Sequence, residues 1–259
     1  MKAPLAFITG ASSGIGQALA ARYAAAGYRL ALVARRTAEL DAWVQAQGLA
    51  PGRVAVYAAD VRDIASITAA GRACVANQGL PEVVIASAGI SVGVDTADFA
   101  DLEQLRATFE TNNLGMAATF QPFVQGMRER RSGTLVGVAS VAGIRGLPGS
   151  EAYCASKSAA ITYCESLRVD IAKAGVRVVT ICPGFIRTPL TAKNPYWMPF
   201  LMDADAFAPR AADAIIANKS YTVIPWPMAI VAKLLRGLPN WAYDRLVAGR
   251  KQKPRSAAQ

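Results

Sequence analysis

Four stretches of the chain suit one chemical apparatus. Thr9-Gly10-Ala11-Ser12-Ser13-Gly14-Ile15-Gly16 follows a short apolar run, and Tyr153-Cys154-Ala155-Ser156-Lys157 sets a phenol and an ammonium four residues apart. Asn112 and Ser140 lie between them. Glycines at Gly10, Gly14 and Gly16 let a turn of backbone approach a phosphate, and the N-terminus of the next helix favours its negative charge. Tyr153 and Lys157 sit inside the helix-like stretch 151–174 and so share a face. A free phenol titrates near ~10 and exchanges protons poorly at neutral pH. An adjacent ammonium stabilises the phenolate and is expected to lower that value. A nucleotide at the glycine turn with a phenol beside it points to hydride transfer to or from a carbonyl, the phenol handling the proton. Ser140 can hydrogen-bond the same oxygen, and Asn112 can hold helix geometry and a relay water. A lone Tyr-x3-Lys is as readily a surface helix pair, and a lone glycine-rich turn an ordinary tight turn. Their co-occurrence carries the reading.

The elements that must position these residues alternate. Strands are expected at Leu5–Thr9, Arg29–Ala34, Arg53–Asp60, Glu82–Ala88, Gly133–Ser140, Arg177–Pro183 and Tyr221–Pro225. Helices are expected near 14–26, 37–48, 63–78, 101–130, 151–174 and 205–218. The early strands are continuously apolar, as strands covered on both faces are. Strand–helix alternation then implies an α/β fold with a doubly wound parallel sheet. No repeat, linker or domain boundary interrupts it. The candidates fall at or just beyond strand C-termini, where open α/β sheets bind ligands.

The second strand ends in Arg35-Arg36, with no carboxylate. An acidic residue there would bind a ribose 2′-hydroxyl, whereas arginine pairs with a 2′-phosphate, so NADP(H) is favoured over NAD(H). The alternative is a solvated pair at a helix start, a place cations do not favour. Asp60 either accepts from an adenine amino group or caps the next helix.

The chain has 259 residues, 53% hydrophobic and 18% charged, enough for a sizeable core. It has no histidine, and Cys74, Cys154, Cys164 and Cys182 form no CxxC, so no metal site is expected. With no signal-peptide pattern, a reduced cytoplasmic setting is expected. The net charge is +10, and residues 221–259 hold seven Lys/Arg against one Asp. A solvated tail is the simplest reading, and 249–259 is expected to be a basic disordered tail. Residues 185–210 carry Pro189, Pro195, Pro199 and Pro209 among Tyr196, Trp197, Met198, Phe200, Leu201 and Met202. They form either a substrate loop or lid, or a contact with a partner subunit. Residues 226–248 are apolar helices that cannot span a membrane. Trp226, Ile230, Leu234 and Trp241, with Lys233, Arg236, Arg245 and Arg250, either pack on the core or a partner, or lie on a membrane surface.

On these residues the chain resembles the short-chain dehydrogenase/reductase family. Thr9–Gly16 is similar to its TGxxxGxG cofactor motif, and Tyr153 and Lys157 to its YxxxK. Ser140, thirteen residues before Tyr153, matches the catalytic serine, and Asn112 the catalytic asparagine, with Asn113 the competing assignment. Asp60-Val61 matches the adenine-contacting pair. Pro183-Gly184-Phe185-Ile186-Arg187-Thr188 resembles the PGxxxT segment, whose Ile and Thr positions contact the nicotinamide carboxamide. Two departures stand out. Ala86-Ser87-Ala88-Gly89 replaces the usual Asn-Asn-Ala-Gly, and the C-terminus lacks the ketoacyl-reductase Asp-Gly-Gly-like ending and looks more like the steroid-, retinoid- and lipid-ketone-reducing branches.

The resemblance implies a single-domain Rossmann fold over 1–248 with a seven-stranded sheet. It implies a cofactor site of Gly10, Ser12, Ser13, Gly14, Ile15, Gly16, Arg35, Arg36, Asp60, Val61, Ala88, Gly89, Tyr153, Lys157, Pro183, Gly184, Ile186 and Thr188, and a catalytic set of Asn112, Ser140, Tyr153 and Lys157. The expected activity is an NADPH-dependent carbonyl reductase, or alcohol dehydrogenase in reverse, on a bulky or lipophilic ketone, aldehyde or secondary alcohol. Helices 101–130 and 151–174 resemble those that pair subunits, so a homo-oligomer is expected, a dimer before a tetramer. Two other classes remain: a non-catalytic NADPH sensor, and a peripheral membrane or nucleic-acid binding protein driven by the basic tail. Neither explains Ser140, Tyr153 and Lys157 together, and no nucleic-acid partner is expected.

Overall fold

Leu5–Thr9 is buried at every position, so this strand needs cover on both faces, and in the computed structural model it has it. The structure describes residues 3–50 and 52–255. In chain order the strands are β1 (Leu5–Thr9), β2 (Arg29–Ala34), β3 (Val54–Ala58), β4 (Val83–Ala86), β5 (Thr134–Val138), β6 (Arg177–Pro183), β7 (Ile186–Arg187), β8 (Met202–Asp203) and β9 (Tyr221–Ile224). The helices are α1 (Gly14–Ala25), α2 (Thr37–Ala46), α3 (Ile64–Gln78), α4 (Asp101–Phe109), α5 (Gly115–Arg130), α6 (Glu151–Ile171), α7 (Pro189–Ala192), α8 (Ala204–Ile216), α9 (Trp226–Gly237) and α10 (Asn240–Val247). Seven strands form one sheet in the order β3-β2-β1-β4-β5-β6-β9, every pair parallel. This is the single-domain, doubly wound Rossmann arrangement. The order reverses between β1 and β4, which opens a crevice at their C-terminal ends.

Alternate side chains of the strands feed two cores. Ala6, Ile8, Leu30 and Leu32 pack with Leu19 and Tyr23 of α1 and Phe207 and Ile215 of α8. Leu5, Phe7, Ala31 and Val33 pack with Ile67 of α3 and Phe120, Phe123 and Met127 of α5. The Phe7 and Phe123 rings stand 4.8 Å apart.

The expected strands over 53–60, 82–88 and 133–140 are shorter, because their last residues leave the ladder to line the crevice. The expected helix 101–130 is two helices, α4 and α5, joined by a π-helical turn, Glu110–Leu114. Such turns concentrate at functional sites, and this one carries Asn112.

The C-terminal part differs more. Met228, Ala232, Tyr243 and Val247 are the inward face of α9 and α10, while Trp226, Ile230, Leu234 and Trp241 face outward. Core packing therefore does not account for the apolar stripe read from the sequence. Arg145, after β5, pins these helices by donating to the carbonyls of Arg236 and Leu238, each at 3.0 Å, and by stacking on Tyr243. No helix among the described residues is long and apolar enough to cross a membrane. The expectation of a disordered tail over 249–259 does not hold for 249–255, which fold back onto the body. The Gly93 N–H donates to the Pro254 carbonyl at 3.0 Å, and Arg255 pairs with Asp98 and, at 2.7 Å, with Asp101. Ion pairs to a distant acidic loop supply what local composition lacked; residues 256–259 lie outside the described residues.

Candidate active site

The crevice begins at the glycine turn between β1 and α1. Gly10 has φ +67°, and a Cβ there would stand 2.8 Å from Ala88 Cα; a Cβ on Gly16 would collide with the Gly10 carbonyl. Only bare backbone lets this turn close on itself and on the segment after β4. Thr9 fixes the same junction, its hydroxyl oxygen accepting from the N–H groups of Ser87 (3.2 Å) and Ala88 (3.4 Å). Thr9 thus braces the segment in which Ala86-Ser87 replaces the family's two asparagines. Ser13 at the N-cap of α1 makes no side-chain cap bond, so the first amides of that helix stay free for an anion. These features fit a dinucleotide pyrophosphate.

A cleft of about 320 Å³ runs from this turn along the switch point. Every residue expected to bind the cofactor lines it, from Arg35 and Arg36 at one end to Tyr153, Lys157, Ile186 and Thr188 at the other. Arg35 stands 3.9 Å from Asp60, and Arg36 pairs with Glu39 at 2.9 Å, both at the surface. The two readings of Asp60 separate here. The cap of α3 is Asp63, which accepts from the Ser66 N–H at 3.1 Å, while Asp60 accepts from the Arg62 N–H at 2.9 Å and faces the cleft. Thr188 caps α7 reciprocally with Thr191, which sets the far wall.

At that far end α6 presents Tyr153 and Lys157, one turn apart. Lys157 is 5% exposed; its Nζ donates to the Val138 carbonyl at 2.9 Å and stands 5.8 Å from the centre of the Tyr153 ring. Ser140 lies two residues beyond β5, its Oγ accepting from the Ala142 N–H at 3.1 Å, beside the Tyr153 hydroxyl. Burial pushes the Tyr153 phenol up to about 12, and hydrogen bonding from Ser140 only partly opposes it. Burial also pulls the Lys157 ammonium down to about 8. The expected lowering of the phenol by the ammonium is therefore reversed, because desolvation outweighs a cation several ångströms away. At neutral pH the phenol is protonated, the form that donates.

Asn112 does not line the cleft. Its Oδ1 accepts from the Ile90 N–H at 2.9 Å, and its Nδ2 donates to the Ile90 carbonyl (3.0 Å) and Ser156 Oγ (2.9 Å). Asn113 donates to the Ser156 carbonyl at 2.8 Å. The pair clamps the segment after β4 against α6, so the Asn112 side chain is committed to holding Tyr153's helix in register.

Several cleft residues were missed from sequence: Arg62, Ile90, Thr111 and Thr191. Arg62 pairs with Glu110 of the π turn at 3.3 Å, a contact with no local signal. The expected lid is an excursion closed at its base by β7 and β8. Tyr196 turns inward onto Phe185, centroids 6.4 Å apart, whereas Trp197 and Phe200 face solvent. A larger cavity, about 870 Å³, lies on the other side of α6 between Arg145, Ser158, Tyr221 and Tyr243, and contains neither Tyr153 nor Lys157.

A Rossmann sheet whose switch-point cleft holds a glycine turn at one end and a Tyr–Lys–Ser group at the other defines a nicotinamide-dependent oxidoreductase. Residues 4–199 match the family model for short chain dehydrogenases, and the chain belongs to that family. An uncharacterized oxidoreductase of Myxococcus xanthus (strain DK1622) is 38% identical over 239 residues, 92% of this chain and 94% of that protein. An alcohol dehydrogenase from the archaeon Thermococcus sibiricus, solved with 5-hydroxy-NADP, superposes with a TM-score of 0.75 at 25% identity, covering 86% of this chain and 96% of that one. A short chain dehydrogenase/reductase from Burkholderia phymatum, solved with NAD, shares the fold across 100% of this chain and 98% of its own, with a TM-score of 0.81 at 23% identity. The protein is an oxidoreductase acting on CH–OH groups with a nicotinamide cofactor.

Proposed function

We propose that the protein is an NADPH-dependent carbonyl reductase, able to run as an alcohol dehydrogenase in reverse, on a bulky or lipophilic ketone or aldehyde. One observation carries the reading: Tyr153, Lys157 and Ser140 share a single cleft with the glycine turn and the Arg35–Arg36 pair. The amides of the turn and the N-terminus of α1 would hold the pyrophosphate, and Arg35 and Arg36 a 2′-phosphate. The segment from Pro183 to Thr188, with Ala88 and Gly89, would border the nicotinamide, and Asp60 and Val61 the adenine. A nicotinamide cofactor bound there would supply the hydride to the carbonyl carbon. Ser140 and Tyr153 would hold the carbonyl oxygen, and the neutral phenol would pass its proton to that oxygen as it gains charge. Lys157 keeps a positive charge beside the phenol as it becomes an anion. Asn112 holds the helix that carries both. Tyr196, Met198 and Leu201, partly buried in the lid, offer apolar surface to a large substrate.

The outward stripe of Trp226, Ile230 and Leu234 suits a second copy of the chain, and sizing the protein with and without anionic vesicles tests subunit against membrane. Four buried free thiols suit a reducing compartment. Following reduced-nicotinamide absorbance with NADPH and NADH over small, aromatic, ring and long-chain ketones, with Tyr153→Phe alongside, tests the main reading. Tyrosine-dependent turnover that prefers NADPH and large ketones is expected. Tight NADPH binding without turnover on any ketone would favour a sensor instead.

A further inference from the structure

The C-terminal segment brings a second cation to the reacting phenol. Lys253 is only 9% exposed, although it lies six residues before Gln259. Its Nζ donates to Ser91 Oγ at 2.7 Å and stands 5.7 Å from the centre of the Tyr153 ring, as close as Lys157. No carboxylate among the described residues lies within ion-pair distance of it.

The seat for this segment is built into distant parts of the chain. Before Lys253, Gln252 packs so closely on Gly149 that a Cβ on the glycine would come within 2.7 Å of the Gln252 Cβ. At Lys253 itself, a Cβ on Gly93 would collide with the backbone carbonyl. After it, Pro254 accepts from the Gly93 N–H, and Arg255 is held by Asp98 and Asp101. Asp101 is itself buried and also accepts from the Asp95 N–H at 2.7 Å. Two glycines and two carboxylates thus fix the segment on both sides of Lys253. Arg250, at the start of the segment, lies 5.9 Å from the ring centre of Tyr196, the inward residue of the lid.

A desolvated cation without a counter-charge is costly unless a ligand supplies one. The acidic groups that anchor the segment pair with Arg255 and leave Lys253 uncompensated. Its Nζ stands 5.7 Å from the centre of the Tyr153 ring, so an anion bound to it would lie on the side of the site that carries the phenol. We propose that Lys253, with Ser91, is a specificity-determining residue that binds the carboxylate of a substrate, so that the substrate is an oxo acid or hydroxy acid. The acid group sits at the Lys253 end and the apolar remainder against Tyr196 and the lid. Burial holds the Lys253 ammonium down to about 8, as expected of a cation awaiting an anion.

The inference rests on the reductase reading, and two measurements keep the two apart. The first compares kcat and KM for 3-oxohexanoate and 4-oxopentanoate with their methyl esters, in the wild type, Lys253→Met and Lys253→Arg. The acid-over-ester preference in kcat/KM should fall roughly ten- to a hundred-fold in Lys253→Met, the worth of a hydrogen bond to a charged group, and the loss should lie in KM. Lys253→Arg, which keeps the charge, should recover part of it. Equal preference in wild type and Lys253→Met overturns the assignment. The second titrates hexanoate and hexanamide calorimetrically onto the full-length protein with NADP⁺. Binding of hexanoate over hexanamide that is lost in Lys253→Met supports the assignment even if no ketone is reduced, an outcome that would sink the reductase reading alone. Turnover of esters and acids alike, with no Lys253-dependent binding, would sink the assignment and leave the reductase reading standing.

Discussion

The two ends of the cleft are held by different kinds of structure. The nucleotide end is made of strand termini, a glycine turn and a helix N-terminus, all within the first 90 residues and fixed by the parallel ladder of β1, β2 and β4. The other end, where a substrate would meet Tyr153, is assembled from α6, the start of the excursion between β7 and β8 and the segment after β4, and beside it packs a C-terminal strap that reaches Asp98 across 157 residues of sequence. The first end is backbone chemistry and tolerates few side chains at Gly10 and Gly16. The second is side-chain chemistry on connecting segments, the place where one fold acquires different substrates. Variants at the two ends should therefore separate: the first set moves cofactor affinity, the second moves substrate KM.

The largest effect belongs at the reacting phenol. Tyr153→Phe removes the proton donor but keeps the ring that both Lys157 and Lys253 approach. Turnover should fall by about 10²- to 10⁴-fold, the usual worth of a positioned acid, with cofactor affinity nearly unchanged in a fluorescence titration. A fall in cofactor affinity as large as the fall in turnover would mean that the tyrosine serves the nucleotide end instead.

At the nucleotide end, Arg35→Ala with Arg36→Ala should weaken NADPH by roughly ten- to a hundred-fold and leave NADH much less affected. Both arginines already have carboxylate neighbours, Asp60 and Glu39, so part of their charge is spoken for in the free protein. Equal weakening of both cofactors would show that neither guanidinium meets the 2′-phosphate. At the substrate end, Arg255→Ala removes the outer anchor of the strap. It should raise KM for a carbonyl substrate several-fold and make the chain cleavable near residue 250 in limited proteolysis. Unchanged proteolysis would mean that the Gly93–Pro254 hydrogen bond and the Gly149 seat suffice without the ion pairs.

The same division decides what the sequence discloses. Leu5–Thr9, Arg29–Ala34 and Arg177–Pro183 are readable to the residue, because a strand buried on both faces must be apolar throughout. The glycine turn is readable because its spacing answers a local need of the backbone. Tyr153 and Lys157 are readable because four residues on a helix fix a shared face. Nothing local marks the Glu110–Leu114 π turn, or the clamp that Asn112 makes on Ile90 and Ser156, since each depends on packing between segments far apart. The strap is the sharpest case. Lys251, Lys253 and Arg255 among polar neighbours read as a solvated tail. The one available hint was the acidic run Asp95, Asp98 and Asp101, a charge match whose geometry only the fold supplies. The proton inventory fails for the same reason: the spacing of Tyr153 and Lys157 predicts a lowered phenol, and burial, set by tertiary packing, wins.

That burial has its own signature in stability, the smallest of these effects. In the ligand-free protein Lys157 and Lys253 are both held down to about 8 from an ordinary 10.5. Between those values the unfolded chain carries protons that the folded chain does not, so stability rises with pH through that window. The buried thiols act in the opposite sense. Cys74 and Cys164 are pushed up from 9.0 to about 12, and Cys154 and Cys182 to about 11, so the folded chain keeps protons that the unfolded chain loses. Their contribution falls away as pH rises above about 9, and Tyr153 adds to the fall above 10. The two sets should give a thermal midpoint that climbs by a few degrees from pH 7, turns over near pH 9 and drops beyond it. Replacing both lysines by methionine should erase the climb and leave the thiol-driven fall, because burial is the largest cause that pushes the thiols up and the lysines only oppose it. A climb that survives in the double variant would place its origin outside the two cations, and with it would go the claim that the substrate end holds them desolvated.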